Sequence, residues 1–311
     1  MRPAASGLTD KETEQASWAG RKRMVNIGGL DLAYVEIGGS EPPLVLVHGF
    51  TDTSRSFSLL APHLSGRRLI MPDLRGHGGS QAGGGCSVDD FADDMAGLIQ
   101  SLRLDRPVVV GHSLGGMVST VLAAQHPELI SGLVILASTL KPDFGSHHQL
   151  IDGVAALRDP ISPSDPFYDW WHACQPGVPQ AFLAGLAKDA SAIPAARWRI
   201  ILEEVRRTDL TASARVVRVP TLIIAGGRDL LFGAAHQRGL AQAIVGSRLV
   251  WAQDCGHNPH WEDPAFVAAI ISQPFGNDDT RQAQSGPRHS PTVRFFPHIG
   301  LIQRKVGRGR R

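Results

Sequence analysis

A serine that acts as a nucleophile needs a backbone that lifts its hydroxyl clear, a base to take its proton and an acid to orient the base. Gly111-His112-Ser113-Leu114-Gly115-Gly116 offers the first of these. It follows Val108-Val109-Val110 and opens a helical pattern, so Ser113 is predicted at a sharp strand-to-helix turn. The backbone there is strained, and the residues two before and two after must lack side chains that would collide. The turn also sets the hydroxyl beside a helix N-terminus, whose free amides favour developing negative charge. A Gly-x-Ser-x-Gly string alone is weak evidence in a chain with 34 glycines, where a tight turn with a capping serine is the plainer reading. The flanking strand and helix patterns favour the nucleophile.

The acid and the base should stand at other strand ends on the same edge of the sheet. Thr221–Ala225 reads as a strand, and Gly226-Gly227-Arg228-Asp229 puts a carboxylate just past it. The next strand, Arg248–Trp251, runs into Asp254-Cys255-Gly256-His257-Asn258-Pro259-His260. His257, preceded by Gly256, is the preferred base, with His260 its competitor. Asp229 is the preferred acid, and Asp254 its rival on the histidine's own loop. Cys255, His257 and His260 also resemble metal ligands, but no second cluster completes a shell. A tetrahedral oxyanion needs two backbone donors. The amide of Leu114 follows the nucleophile, and His48-Gly49-Phe50 follows an earlier strand, where Gly49 allows close approach and Phe50 supplies the second amide. Asp73 through Ser80 reads as a structural loop bracing the sheet edge.

The elements that must position these residues alternate. Met24–Ile27 and Leu30–Ile37 flank Gly28-Gly29 as a hairpin. Short β-rich runs follow at Leu44–His48, Arg68–Met71, Pro107–Gly111, Ser131–Ala137, Pro220–Ala225 and Arg248–Trp251, mostly apolar throughout, as in strands covered on both faces. Helical patterns lie between them. Ser87-Val-Asp-Asp90 opens one with a capping box, Leu114–Gln125 forms another, and Phe266–Ile271 belongs to a third. The pattern is that of an α/β fold with right-handed crossovers. Residues 138–219 break the rhythm: the stretch is helical and reads as a lid inserted into a core of residues 24–137 and 220–273. Its aromatic cluster of Phe167, Tyr168, Trp170 and Trp171 either lines a substrate pocket or forms the lid's own core.

Residues 1–23 form a polar leader with no continuous apolar core, which argues against a secretory signal. No apolar run approaches the roughly 18 to 20 residues of a membrane span. Three widely spaced cysteines suit a reducing, cytoplasmic compartment. Residues 281–311 hold eight Lys or Arg and no acid, which leaves 23 basic and 29 acidic side chains in the first 280 residues, a net of −6. A nucleic-acid protein would carry positive charge on its folded body, so that class is set aside. Residues 274–311 are predicted to be a basic, disordered tail.

Taken together these residues resemble the α/β-hydrolase superfamily, in its branch of small lidded esterases and lactonases. His48-Gly49-Phe50, Asp73 through Ser80, Gly111 through Gly116, Gly226 through Asp229 and Gly256-His257 carry the likeness over most of the chain. The resemblance implies a mostly parallel central sheet flanked by helices with an inserted helical lid. It implies Ser113, Asp229 and His257 as a catalytic triad, and the amides of Phe50 and Leu114 as oxyanion donors. Three related groups fit less well. Haloalkane dehalogenases and epoxide hydrolases carry an aspartate nucleophile, haloperoxidases often a Met where Leu114 stands, and carbon–carbon bond hydrolases a Gly-Pro-Gly where Phe50-Thr51-Asp52 stands.

The expectation is a serine hydrolase of carboxylic esters or lactones, acting on small to medium apolar substrates through an acyl-enzyme. No cofactor or metal is expected, and no nucleic-acid or membrane partner; monomer and homodimer are both left open. Phe167, Trp170 and Trp171 are the candidate substrate contacts. The alternatives are a perhydrolase or haloperoxidase-like reaction or carbon–carbon cleavage on the same triad, or a ligand receptor built on the hydrolase fold.

Overall fold

The computed structural model describes Gln15, residues 17–144 and residues 147–273; the tail predicted over 274–311 lies outside the described residues. Among the described residues eight strands form one sheet: β1 Lys22–Ile27, β2 Leu30–Ile37, β3 Ser40–Val47, β4 Arg67–Pro72, β5 Val108–His112, β6 Gly132–Leu136, β7 Thr221–Gly226 and β8 Arg248–Ala252. Their order is β1-β2-β4-β3-β5-β6-β7-β8. The β1–β2 hairpin pairs antiparallel with itself and with β4, while every pairing from β4 to β8 is parallel.

The apolar strands are explained by burial on both faces. Val45 and Val47 of β3 join a core shared with Phe91 and Met95, whereas Leu44 and Leu46 join the opposite core with Phe57 and Val267. Phe91 and Met95 lie on helix α1 (Val88–Ser101), and Val267 on helix α10 (Pro264–Ile271). The capping box of α1 is formed: Ser87 Oγ accepts from the Asp90 amide at 3.1 Å, and Asp90 Oδ2 from the Ser87 amide at 2.9 Å. Helix α2 (Leu114–Gln125) is buried along almost its whole length, matching its mostly apolar sequence.

Between β6 and β7 the chain leaves the sheet and, among the described residues, makes five helices: α3 His148–Ala156, α4 Phe167–Trp171, α5 Gln180–Ser191, α6 Ala195–Arg207 and α7 Thr211–Val216. Their buried residues, among them Leu150, Tyr168, Trp198 and Ile201, are continuous with the core on the α1 side of the sheet. Helices α8 (Ala234–Ala243) and α9 (Pro259–Glu262) complete the order. Neither α7 nor α8 stands out in the sequence. Each is short, neither starts on a side-chain cap, and α8 carries Gly239 in its interior. Among the described residues no helix is long and apolar enough to cross a membrane.

The polar leader ends earlier than its composition suggests. Trp18, within the predicted 1–23 segment, is fully buried in the core on the α10 side, and its indole donates to Ser54 Oγ at 3.2 Å. Lys22 and Arg23 already belong to β1, and Lys22 Nζ sits 2.6 Å from the buried Asp73 carboxylate. One large apolar side chain anchors an otherwise polar stretch, a signal that average composition dilutes. Trp18→Ala is therefore expected to cost about 3–5 kcal/mol of folding stability, as for other buried tryptophans cut to alanine. Urea denaturation checks this; a loss below about 1 kcal/mol would place the tryptophan outside the cooperative core.

Candidate active site

Ser113 stands between β5 and α2 with φ +50° and ψ −114°, a conformation that a non-glycine residue adopts only under constraint. The constraint is close packing. A side chain at Gly111 would strike the Gly115 carbonyl, and one at Gly115 would strike the Val47 carbonyl of β3. Two hydrogen bonds fix the turn further: the Ser113 amide donates to Leu136 O at 2.9 Å, and Ser138 Oγ donates to Ser113 O at 2.7 Å. The serine hydroxyl is held over the sheet edge, at the start of α2.

The loops after β7 and β8 bring two further side chains to it. His257 Nε2 lies 3.0 Å from Ser113 Oγ, and His257 Nδ1 lies 3.0 Å from Asp229 Oδ2. An ionised carboxylate only accepts, so Nδ1 carries the ring proton and Nε2 presents its lone pair to the serine hydroxyl. Asp229 Oδ1 accepts from the amides of Leu231 at 2.8 Å and Phe232 at 2.9 Å. Burial, the largest influence on Asp229, pushes its carboxyl up. The His257 ring and the two amides outweigh it, and the group ends below the ordinary carboxylate range. The rival acid Asp254 is 87% exposed and ion-paired to Arg228 at 2.6 Å. His260 is buried elsewhere, with Nε2 at 2.9 Å from Ser56 Oγ.

The turn after β3 closes against Ser113. A Cβ at Gly49 would come within 2.8 Å of His112 Nδ1 and 3.3 Å of Ser113 Cβ, so this approach requires glycine. The Asp52 amide returns to Gly49 O at 3.3 Å, closing a four-residue turn that has Phe50 and Thr51 in the middle. Leu114, the first residue of α2, has an amide with no intrahelical acceptor by position. Asp73 plays the bracing part expected of its loop: its carboxylate accepts from the amides of Ser54 and Gly79, both at 2.8 Å.

A cavity of about 310 Å³ opens onto Ser113 and His257. Its walls are mainly apolar and include Phe50, Trp170, Trp171, Leu231 and Trp261, with Asp52, His112 and Arg228 among the polar lining. Phe167 is not one of the lining residues. It stacks behind Trp171, with ring centroids 5.9 Å apart, and fills the space over Gly153. Tyr168 is also buried, in the core of the inserted helices. The aromatic cluster thus divides: the two tryptophans of α4 face the cavity while Phe167 and Tyr168 pack the interior.

Sequence reasoning passed over Asp52 and the environment of His112. His112 Nε2 lies 3.0 Å from the His257 carbonyl, which can only accept, so Nε2 bears the proton and Nδ1 a bare lone pair. Burial, the largest cause, holds the ring neutral, with its pKa down at about 3. Asp52 Oδ2 stands 4.0 Å from that lone pair and accepts from Ser56 Oγ at 3.1 Å. Two acceptors face one another, and burial pushes the Asp52 carboxyl up to about 7 against the opposing pull of Ser56 and His257. Only three-dimensional burial reveals this, since Asp52 reads locally as a turn residue.

Comparison with known proteins adds kinship. A family model described as the alpha/beta hydrolase fold matches residues 42–264. The chain is 29% identical to lipase LipV of Mycobacterium tuberculosis over 79% of its length and 98% of the lipase. It is 31% identical to a pimeloyl-[acyl-carrier protein] methyl ester esterase of Aromatoleum aromaticum, over 75% of this chain and 97% of that one. Among solved structures it resembles a bacterial membrane phospholipase A with a TM-score of 0.72 and 25% identity, over 84% of this chain and 87% of the other.

The Asp52 carboxyl generates a pH-dependent expectation. Folded, it keeps its proton up to about pH 7; unfolded, it ionises near 3.8. The folded chain therefore holds the extra proton between those values, and stability falls as pH rises through that window, the full penalty standing above pH 7. Asp52→Asn removes the ionisation and offers a donor to His112 Nδ1. It should raise Tm over wild type at pH 8, by a margin that shrinks toward pH 5. Thermal melts at the two pH values test this, and a margin independent of pH would refute the buried acid.

Proposed function

The chain belongs to the α/β-hydrolase fold family, and we propose that it is a serine hydrolase cleaving carboxylic esters or lactones through an acyl-enzyme. The observation that carries the reading is the His257 ring, placed 3.0 Å from both Ser113 Oγ and Asp229 Oδ2. His257 takes the hydroxyl proton as Ser113 attacks the substrate carbonyl. Asp229 holds the ring tautomer and stabilises the imidazolium. The amides of Phe50 and Leu114 take up the oxyanion of the tetrahedral intermediate, a contribution of about 3 kcal/mol per donor where such donors have been removed. His257 then protonates the leaving alcohol and activates water for deacylation.

Substrate class follows from the cavity. Its volume of about 310 Å³ and mainly apolar walls suit a small to medium acyl chain or ring rather than a long polymer. The lipase and esterase relatives support ester chemistry, since those proteins are named for it. Substrate contacts are assigned to Trp170 and Trp171, whose rings line the cavity beside Ser113.

A fluorophosphonate probe together with a panel of aryl esters, alkyl esters and lactones tests the reading. Wild type should be labelled, and Ser113→Ala should lose both label and turnover while keeping its melting temperature. Ser80→Ala serves as the control, because Ser80 Oγ is spent on the Asp73 carbonyl at 2.6 Å and the Ala33 amide at 2.8 Å. Asp229→Asn should lower kcat by about 10⁴, the penalty of the wrong imidazole tautomer in the serine-protease template. Folded wild type that resists labelling would favour a ligand-binding module instead. Equal damage from Asp254→Asn would reassign the acid.

A further inference from the structure

We propose that Trp171, on the inserted helix α4, is a positioning residue of the oxyanion hole, acting through Thr51. The inference rests on the acyl-transfer reading of Ser113 and the Phe50 amide. Trp171 Nε1 donates to Thr51 Oγ1 at 3.0 Å, a bond that ties the inserted helices to the turn after β3. Thr51 is fully buried and has φ +64°. In the Gly49–Asp52 turn it occupies the third position, where a positive φ marks the type II form that glycine or asparagine usually fills. A β-branched residue there is strained. Something must hold it, and the indole N–H is the side-chain partner placed to do so.

The rest of the neighbourhood reinforces the tie. Phe50 packs edge-on against Trp171, with ring centroids 5.9 Å apart, and against the fully buried Trp198 at 5.3 Å. Trp198 belongs to α6, so two inserted helices grip the turn from the same side. If Thr51 relaxed to negative φ, the peptide between Phe50 and Thr51 would rotate, and the Phe50 amide next to it would lose its fixed aim. A donor displaced by a fraction of an ångström loses most of its preference for the transition state, because that preference depends on preorganised geometry. The inserted helices therefore do more than wall the cavity. Their docking assembles one of the two oxyanion donors, so the hole is complete only when they are seated on the turn.

Trp171→Phe keeps the ring and removes the donor; Thr51→Val keeps the shape and removes the acceptor; Thr51→Ser keeps the acceptor. On a short-chain p-nitrophenyl ester, Trp171→Phe and Thr51→Val should each lower kcat about tenfold, with KM within about threefold of wild type. Affinity for an alkyl trifluoromethyl ketone, whose adduct on Ser113 places an oxyanion in the hole, should fall by the same factor. The double variant should be no worse than either single one, because both remove the same bond, and Thr51→Ser should restore activity to within about twofold of wild type. A rise in KM alone, with kcat and ketone affinity unchanged, would leave Trp171 a substrate contact only and overturn the proposal. Additive losses in the double variant would also overturn it. These outcomes leave the hydrolase reading intact provided the wild type takes the fluorophosphonate label on Ser113; absence of that label fails both readings together.

Discussion

Ser113 keeps its left-handed backbone because its surroundings leave the turn no room to relax. Gly111 abuts the Gly115 carbonyl and Gly115 abuts β3, while the Leu136 carbonyl and the Ser138 hydroxyl hold the serine's own peptide groups. A conformation of this kind costs of order 1–3 kcal/mol and persists only where packing over-determines it. The central strands β3, β5 and β6 provide that packing, being parallel neighbours in register from Leu44↔Val108 and Val108↔Gly132 onward. Stiffness in the middle of the sheet is thus converted into the exposure of one hydroxyl. The loops after β7 and β8, paired through Gly226↔Ala252, then need only reach the same edge.

Charge in this region is confined. His48, His77, His112 and His260 are all buried, and burial is the first cause that lowers each of them below the ordinary imidazole range. Asp52 is pushed toward its neutral form by the same effect. Asp229 is the exception, held ionised by its imidazole partner and two amides in spite of burial. A fixed negative charge hydrogen-bonded to the His257 ring is what an imidazolium needs, and neutral histidines around it avoid opposing it. The low polarity of the walls makes that attraction stronger than it would be in water.

Much of this was legible in the chain, for identifiable reasons. Strand ends, glycine pairs and chain order are local features, so Ser113, Asp229 and His257 could be picked out, and the structure brings their side chains together. The capping box at Ser87 is equally local. What the sequence hid depends on contacts between distant segments. The positive φ of Thr51 is unreadable because threonine rarely adopts it. The displaced pKa of Asp52 follows from burial beside His112, which arrives on a distant strand. Which aromatics of α4 face the cavity is decided by Trp198 and Gly153, neither adjacent in sequence. Trp18 was lost in a polar average.

The excursion that carries α3 to α7 departs from the end of β6 and comes back at the start of β7, and these two strands are hydrogen-bonded neighbours, with Leu133 opposite Thr221 and Leu136 opposite Ile224. Its two stems are therefore anchored on one stretch of sheet, and because loop closure grows only logarithmically with length, trading it for a longer or shorter replacement perturbs the scaffold little. The inserted segment can thus be exchanged as a cassette while the Ser113 turn stays put. The grip of the indole on the turn sets a limit on that freedom: any incoming cassette must bring its own clasp, or inherit a slower machine.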